Sequence, residues 1–312
     1  MLNSTFKTLR SQSFWDEVPN NVKGACWMLL GSVCFSVMSV GVKYVGAGLD
    51  SFEIGFLRAF LGLLAIIPFV LYRGVSTLRT SIFKMHFFRS CVGITAMLAT
   101  FYTITHMPLA DATALTFTRP LFLIVLAFLF LGEIIRWRRG MATLVGFVGV
   151  VIMVQANAEV GFATAVGLFA AFMVACVSVL IKKLTKTEHP TTIMFYFGLI
   201  GSVIAFIPAS QVWITPTWQE LLVLGGTSIV GTGGNFCMIR AFGIGEATAV
   251  SPFDYTRLIF AGILAYFIFN EVPTMGMIIG AIIIVASSIY IMQREARVKA
   301  RNKASEAVSR DA

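Results

Sequence analysis

Arg119 and Arg257 each stand about ten residues inside a long apolar run. At that depth a guanidinium costs at least ~2.5 kcal/mol against lipid. Such a cation belongs in a protein interior or a wet cavity, where it can hold a carboxylate or phosphate through two parallel hydrogen bonds. Asp254 is the one carboxylate deep within a run, three residues before Arg257. Helical spacing pairs those two, with proton coupling as the alternative role for Asp254. Arg119 has no acidic residue within a helical turn, and the expectation is that Arg119 and Arg257 together hold the substrate anion, an internal pair with Asp254 being the other reading for Arg257. Tyr102 and Tyr255 carry phenols that want a partner, and their rings suit a cavity for a flat ring or a cation. Arg58 lies about one turn inside its run, behind Glu53. The spacing predicts that it snorkels outward and pairs there, a guard at the outer entrance being the other reading. Glu133 and Glu271 sit where one run joins the next and read as structural ties between helix ends. Asp111 and Glu246 begin runs and read as N-terminal caps.

Other chemistry is missing from the pattern. The five Cys show no CxxC spacing, and His86, His106 and His189 show no ligand spacing. A metal site or disulfide framework is therefore not expected. No GxSxG or HExxH motif is present, and the glycine-rich stretches lack the GK[ST] of a phosphate loop. The reading is of no catalytic residue, no metal and no cofactor. Pro68, Pro120, Pro208 and Pro252 lie inside apolar runs, where kinked or broken helices suit a midplane cavity.

The elements that must position these residues follow from composition. Of 312 residues, 57% are hydrophobic and 12% charged, with a mean hydropathy of +0.85. Disorder is excluded by the scarcity of charge. An ordinary soluble enzyme is excluded because one core cannot bury so many apolar side chains. A spanning helix needs about 20 apolar residues. Ten such runs fall near 24–42, 54–72, 87–105, 110–131, 140–155, 162–181, 191–210, 220–241, 247–269 and 273–292. With the N-terminus inside, the outer connections carry only Lys43, and Arg58, Arg119 and Arg257 lie within spans. Every other Lys and Arg, Arg89 included, then falls to the cytoplasmic side. That asymmetry predicts both termini cytoplasmic in a bacterial inner membrane. It also explains the net charge of +9 without nucleic acid. The basic tail, 294–312, is expected against anionic lipid headgroups.

The chain repeats itself. Asp111-Ala-Thr-Ala, Thr118-Arg119, Gly132-Glu133 and Gln155 recur as Glu246-Ala-Thr-Ala, Thr256-Arg257, Asn270-Glu271 and Gln293. The offset is 135 at the start and 138 after a three-residue insertion. Upstream, Lys43 matches Lys183 and Ile67-Pro68 matches Ile207-Pro208 at 140. The unit holds five spans, and five is odd, so the second copy enters the membrane from the opposite side, as in secondary transporters. The expected fold is an all-α integral membrane protein of ten transmembrane helices in two inverted five-helix repeats. They cover 24–155 and 162–293 and follow a cytoplasmic segment, 1–23.

Leu131-Gly132-Glu133 with Gly146-Phe147-Val148-Gly149-Val150, and Phe269-Asn270-Glu271 in the second half, resemble the EamA branch of the drug/metabolite transporter superfamily. The resemblance covers about 24–293 and implies ten helices, a central cavity and alternating access. Ser51-Phe52-Glu53, Ile207-Pro208-Ala209-Ser210-Gln211 with Trp213, and Ala265-Tyr266-Phe267-Ile268-Phe269-Asn270-Glu271 are similar to the S-adenosylmethionine uptake carriers of intracellular alphaproteobacteria. That likeness implies no arginine at 119 or 257, which is a departure here. A second embedded cation repels a sulfonium but still accepts its carboxylate. The expectation is a secondary transporter for a small anionic or zwitterionic metabolite, acting as monomer or homodimer, with S-adenosylmethionine as the alternative substrate. An intramembrane lipid-modifying enzyme is the rival class.

Overall fold

The computed structural model describes residues 18–116, 118–132, 137–154 and 161–270, and beyond these, helical residues at intervals between 275 and 297. Glu133, Glu271, the side chain of Asp111 and both terminal segments lie outside the described residues. Every regular element described is a helix, as a bilayer requires of a backbone that must satisfy itself. The elements are α1 Asn20–Val45, α2 Ser51–Arg73, α3 Phe83–His106, α4a Leu109–Thr116, α4b Arg119–Leu131 and α5 Trp137–Val154. The second half holds α6 Phe162–Leu184, α7 Pro190–Ala209, α8 Trp218–Ile244, α9a Ala247–Val250, a 3-10 turn Ser251–Tyr255 and α9b Thr256–Phe269. Seven segments are long and apolar enough to cross a membrane: α1, α2, α3, α6, α7, α8 and Ser251–Phe269.

Local sequence sets the ends. Asp50 caps α2 by accepting the N–H of Phe52 at 2.8 Å. Thr217 and Glu220 close a reciprocal capping box on α8. His189 caps α7 just ahead of Pro190, a residue already shaped for a first helical turn. Asn270 ends α9b in the left-handed region, with φ of 54°.

The helices interleave across the two halves. Helix α1 packs chiefly on α8 and α9b, α6 on α3 and α4b, and α2 on α7. An offset of about 140 turns the first set of contacts into the second. Each half thus lends its first helix to the other, and the α2–α7 pair lies on the seam. Small residues permit the close approach of α1 to α8: a Cβ on Gly31 would stand 3.3 Å from the Cβ of Cys237 and 3.5 Å from the carbonyl of Gly234. The outer faces are apolar and exposed, with Phe69, Ile229 and Phe267 among them, as lipid contact allows.

Candidate functional site

Both deep arginines stand where regular helix is interrupted. Thr118 lies outside helix, its N–H reaching back only three residues to Leu115, and Arg119 is the first residue of α4b. In the second half the 3-10 turn Ser251–Tyr255, which contains Pro252, separates α9a from α9b, and Arg257 is the second residue of α9b. Asp111 to Arg119 is eight residues and Glu246 to Arg257 is eleven. The three-residue insertion therefore falls in the stretch that holds the 3-10 turn, where three residues make one such turn. Each guanidinium thus sits beside the N-terminal, positive end of a half-helix, an arrangement that favours an anion.

The partners differ from those that spacing predicts. Asp254 pairs with Arg119 across the two halves, Oδ2 to Nη2 at 2.9 Å, rather than with Arg257 three residues on. Both side chains are almost fully buried. Arg257 instead donates from Nη2 to the hydroxyl of Ser39 at 2.7 Å, lies over the ring of Phe35 at 5.5 Å, and leaves its buried Nε without a hydrogen-bond partner. Arg119 has no acidic residue in its own helix, yet it is paired. The partner comes from the other half, where no helical periodicity reaches.

Sequence reasoning missed a ladder of serines on α1. Ser32 donates to the carbonyl of Met28 at 3.0 Å, with Asp254 Oδ1 at 3.4 Å. Ser36 donates to Ser32 O at 2.8 Å and stands 3.0 Å from Arg257 O. Ser39 donates to the Phe35 carbonyl at 2.8 Å and accepts from Arg257. The spacing 32, 36, 39 was a usable signal, because i, i+4 and i+7 share one helical face. Ser36 thus adds a contact to the Arg257 carbonyl, and Ser39 takes up one N–H of its guanidinium.

The other candidate residues fall elsewhere. Tyr255 is fully buried and packs on α5, where a Cβ on Gly146 would lie 3.0 Å from its ring. Tyr102 stacks on His106, centroids 3.9 Å apart, near the end of α3, and meets Phe162 edge-on at 6.0 Å. Arg58 does not snorkel: it is 3% exposed, with Nε 3.5 Å from the sulfur of Met38. Glu53, its expected partner, accepts the backbone N–H of Ile214 instead. Arg89, assigned by charge counting to the cytoplasmic side, is 2% exposed inside α3. Among the described residues no cluster of His, Cys, Asp or Glu could hold a metal.

A polar layer at two matched helix breaks, inside an apolar bundle, is the arrangement of a membrane carrier. The chain belongs to the EamA-like transporter family, whose model matches twice, over residues 22–155 and 161–293. It is a secondary transporter and not an enzyme, which removes the lipid-modifying alternative. It is 34% identical over 288 residues to an S-adenosylmethionine uptake transporter of Rickettsia prowazekii, a match covering 90% of this chain and 96% of that one. A riboflavin transporter of Vibrio cholerae is 27% identical, over 90% of this chain and 97% of its own. The pseudopaline exporter CntI of Pseudomonas aeruginosa is 31% identical, over 86% and 95%. One solved crystal structure superposes with a TM-score of 0.72 over 88% of this chain and 98% of its own at 18% identity, a likeness of fold.

Proposed function

We propose that the chain forms ten transmembrane helices in two inverted halves, in a bacterial inner membrane with both termini cytoplasmic. It moves a small zwitterionic or anionic metabolite by alternating access. The observation that carries this reading is the unequal layer at the helix breaks. One guanidinium, Arg119, is matched by a carboxylate, and the other, Arg257, is held by a hydroxyl. Arg257 takes the substrate carboxylate, trading the Ser39 hydroxyl for a charged acceptor of the kind a guanidinium binds in pairs of bonds. Asp254 is then the nearest group for an ammonium, shared with Arg119. Phe35 and neighbouring rings contact the apolar part. S-adenosylmethionine carries such an amino-acid head and is named for the Rickettsia relative, so it is the first substrate to test. Its sulfonium is the chemical objection, because Arg257 adds a cation to the same layer.

The test is counterflow. Proteoliposomes preloaded with unlabelled S-adenosylmethionine should accumulate the labelled compound, and Arg257→Gln should abolish this while the protein stays monodisperse in detergent. Parallel arms use neutral, cationic and anionic amino acids and riboflavin. Full uptake of an amino-acid-like substrate by Arg257→Gln would remove the anion site. Exchange of a purely cationic solute alone would reverse the assignment of charge.

A further inference from the structure

A second pair of cations, one of which reaches Met38 beside the Ser39 that holds Arg257, is buried at the seam of the halves. Arg58 of α2 and Arg89 of α3 line one small cavity with Thr232 and Asn235 of α8 and Phe197 of α7. Their exposures are 3% and 2%, and among the described residues neither has a carboxylate partner. Arg89 lies over the ring of Phe197 at 4.2 Å, which compensates part of its charge. Its Nε and Nη1 are nevertheless buried with no hydrogen-bond partner. Arg58 finds only the thioether of Met38, a weak acceptor. Two guanidiniums in apolar surroundings without counter-charge are among the costliest arrangements a fold can hold.

The walls are built for these side chains. A Cβ on Gly62 would stand 2.8 Å from Arg58 Nη1 and 3.1 Å from Thr232 Oγ1, and one on Gly231 would stand 2.7 Å from Arg58 Nη2. Larger residues at either position would evict the guanidinium. The cavity itself is about 20 Å³, room for one particle the size of a water molecule or a halide. It is not free to widen toward α7: a Cβ on Gly198 would meet the Cα of Leu63 at 3.2 Å, so the α2 and α7 backbones are already in contact. A water there would satisfy donors but leave both charges uncompensated. The Asn235 amide and Thr232 hydroxyl add donors suited to an anion.

We propose that Arg58 and Arg89 form a site for a single small inorganic anion of chloride size, separate from the substrate layer and independent of how that layer is read. The ion offsets two buried charges of the first half, on α2 and α3, and its contacts with α7 and α8 tie them to the second half.

The full chain, purified in an uncharged detergent and exchanged into sodium gluconate, is titrated with sodium chloride or bromide at constant ionic strength. Its thermal midpoint should rise by several degrees and saturate, as binding to the folded state alone requires. Sulfate should give no such rise. Arg89→Gln should lose the halide response, Thr232→Val should raise the chloride concentration at half-effect several-fold, and Arg257→Gln should keep it. Equilibrium dialysis of radioactive chloride onto the unaltered chain, which needs no variant, should give one ion per chain. Equal responses to gluconate and chloride, or no bound chloride, would overturn the site. Saturable stabilisation by acetate but not by halide would overturn the choice of ion and make the cavity a carboxylate subsite.

Discussion

The two helix breaks descend from one repeat and are chemically unlike. At the second, α1 presents Ser32, Ser36 and Ser39, and the carbonyl and guanidinium of Arg257 are met by the hydroxyls of Ser36 and Ser39. At the first, the matching helix α6 carries Phe172, Cys176 and Val179 at the same register, and Phe172 meets Phe122 of α4b edge-on at 5.5 Å. The buried serine of α6, Ser178, lies off that register and turns back to the carbonyl of Val174 at 2.9 Å. The carboxylate is also single: Asp254 corresponds to Thr116, whose hydroxyl turns back to the carbonyl of Thr113 at 2.7 Å. Arg119 takes its counter-charge from the other half. The duplication kept the helix breaks twice and the serine ladder and carboxylate once, and the proposed function rests on that inequality, with Arg257 as the cation for a solute.

The largest test of this contrast removes the shared acid. Asp254→Asn leaves Arg119 buried and unpaired, which costs about 3–5 kcal/mol. A steep fall in the thermal midpoint in detergent is expected, with much of it recovered in the double variant Arg119→Met, Asp254→Asn. If the single variant is as stable as the parent, the cross-half pair does not hold the breaks together.

A second test makes the halves alike. Thr116→Asp places a carboxylate where the repeat lacks one, and by the pseudo-symmetry of Asp254 on Arg119 it should reach Arg257. Uptake should fall about tenfold or more, the cost of 1.4 kcal/mol in affinity, while the midpoint holds or rises. Transport unchanged by this substitution would mean that Arg257 is not the open cation.

The smallest effect distinguishes the equivalent helices α2 and α7 by their caps. Asp50 caps α2, whereas α7 relies on His189, whose Nδ1 accepts the N–H of Thr191 at 3.2 Å. Burial, and then repulsion from Arg73 and Arg240, holds the His189 imidazole below its ordinary value and therefore neutral. The unfolded chain takes up that proton as pH falls through about 6.5. The cap's contribution is thus complete above that pH and is lost below it. A modest decline in thermal midpoint is expected on acidification, flattened by His189→Asn, which caps without titrating in this range. An identical decline in that variant would place the titration elsewhere.

Much of this was readable from the chain. The helices lie within a few residues of the apolar runs, and the offset of 138 located both arginines and the inserted turn. What escaped has one cause: periodicity ranks neighbours along one helix, and the decisive contacts run between helices of different halves. Asp254 is three residues from Arg257 and more than a hundred from Arg119, yet it pairs with the latter. Charge counting gives a cation a side of the membrane and says nothing of its burial, so the enclosure of Arg89 within the bundle was not legible.

One matched pair of contacts bears on how such a molecule would work. Lys43, at the end of α1, lies over Phe269 at 5.1 Å, and its counterpart Lys183, at the end of α6, lies over Phe130 at 5.5 Å. In the proposed topology these two clasps fall on opposite faces of the bilayer, and here both are fastened. A rocking carrier must undo them in turn and never together. Each is worth only about 0.5–1 kcal/mol at such half-exposed positions, so neither is a lock. Arrival and departure of the cargo, rather than the doors themselves, would then set the tempo of the cycle.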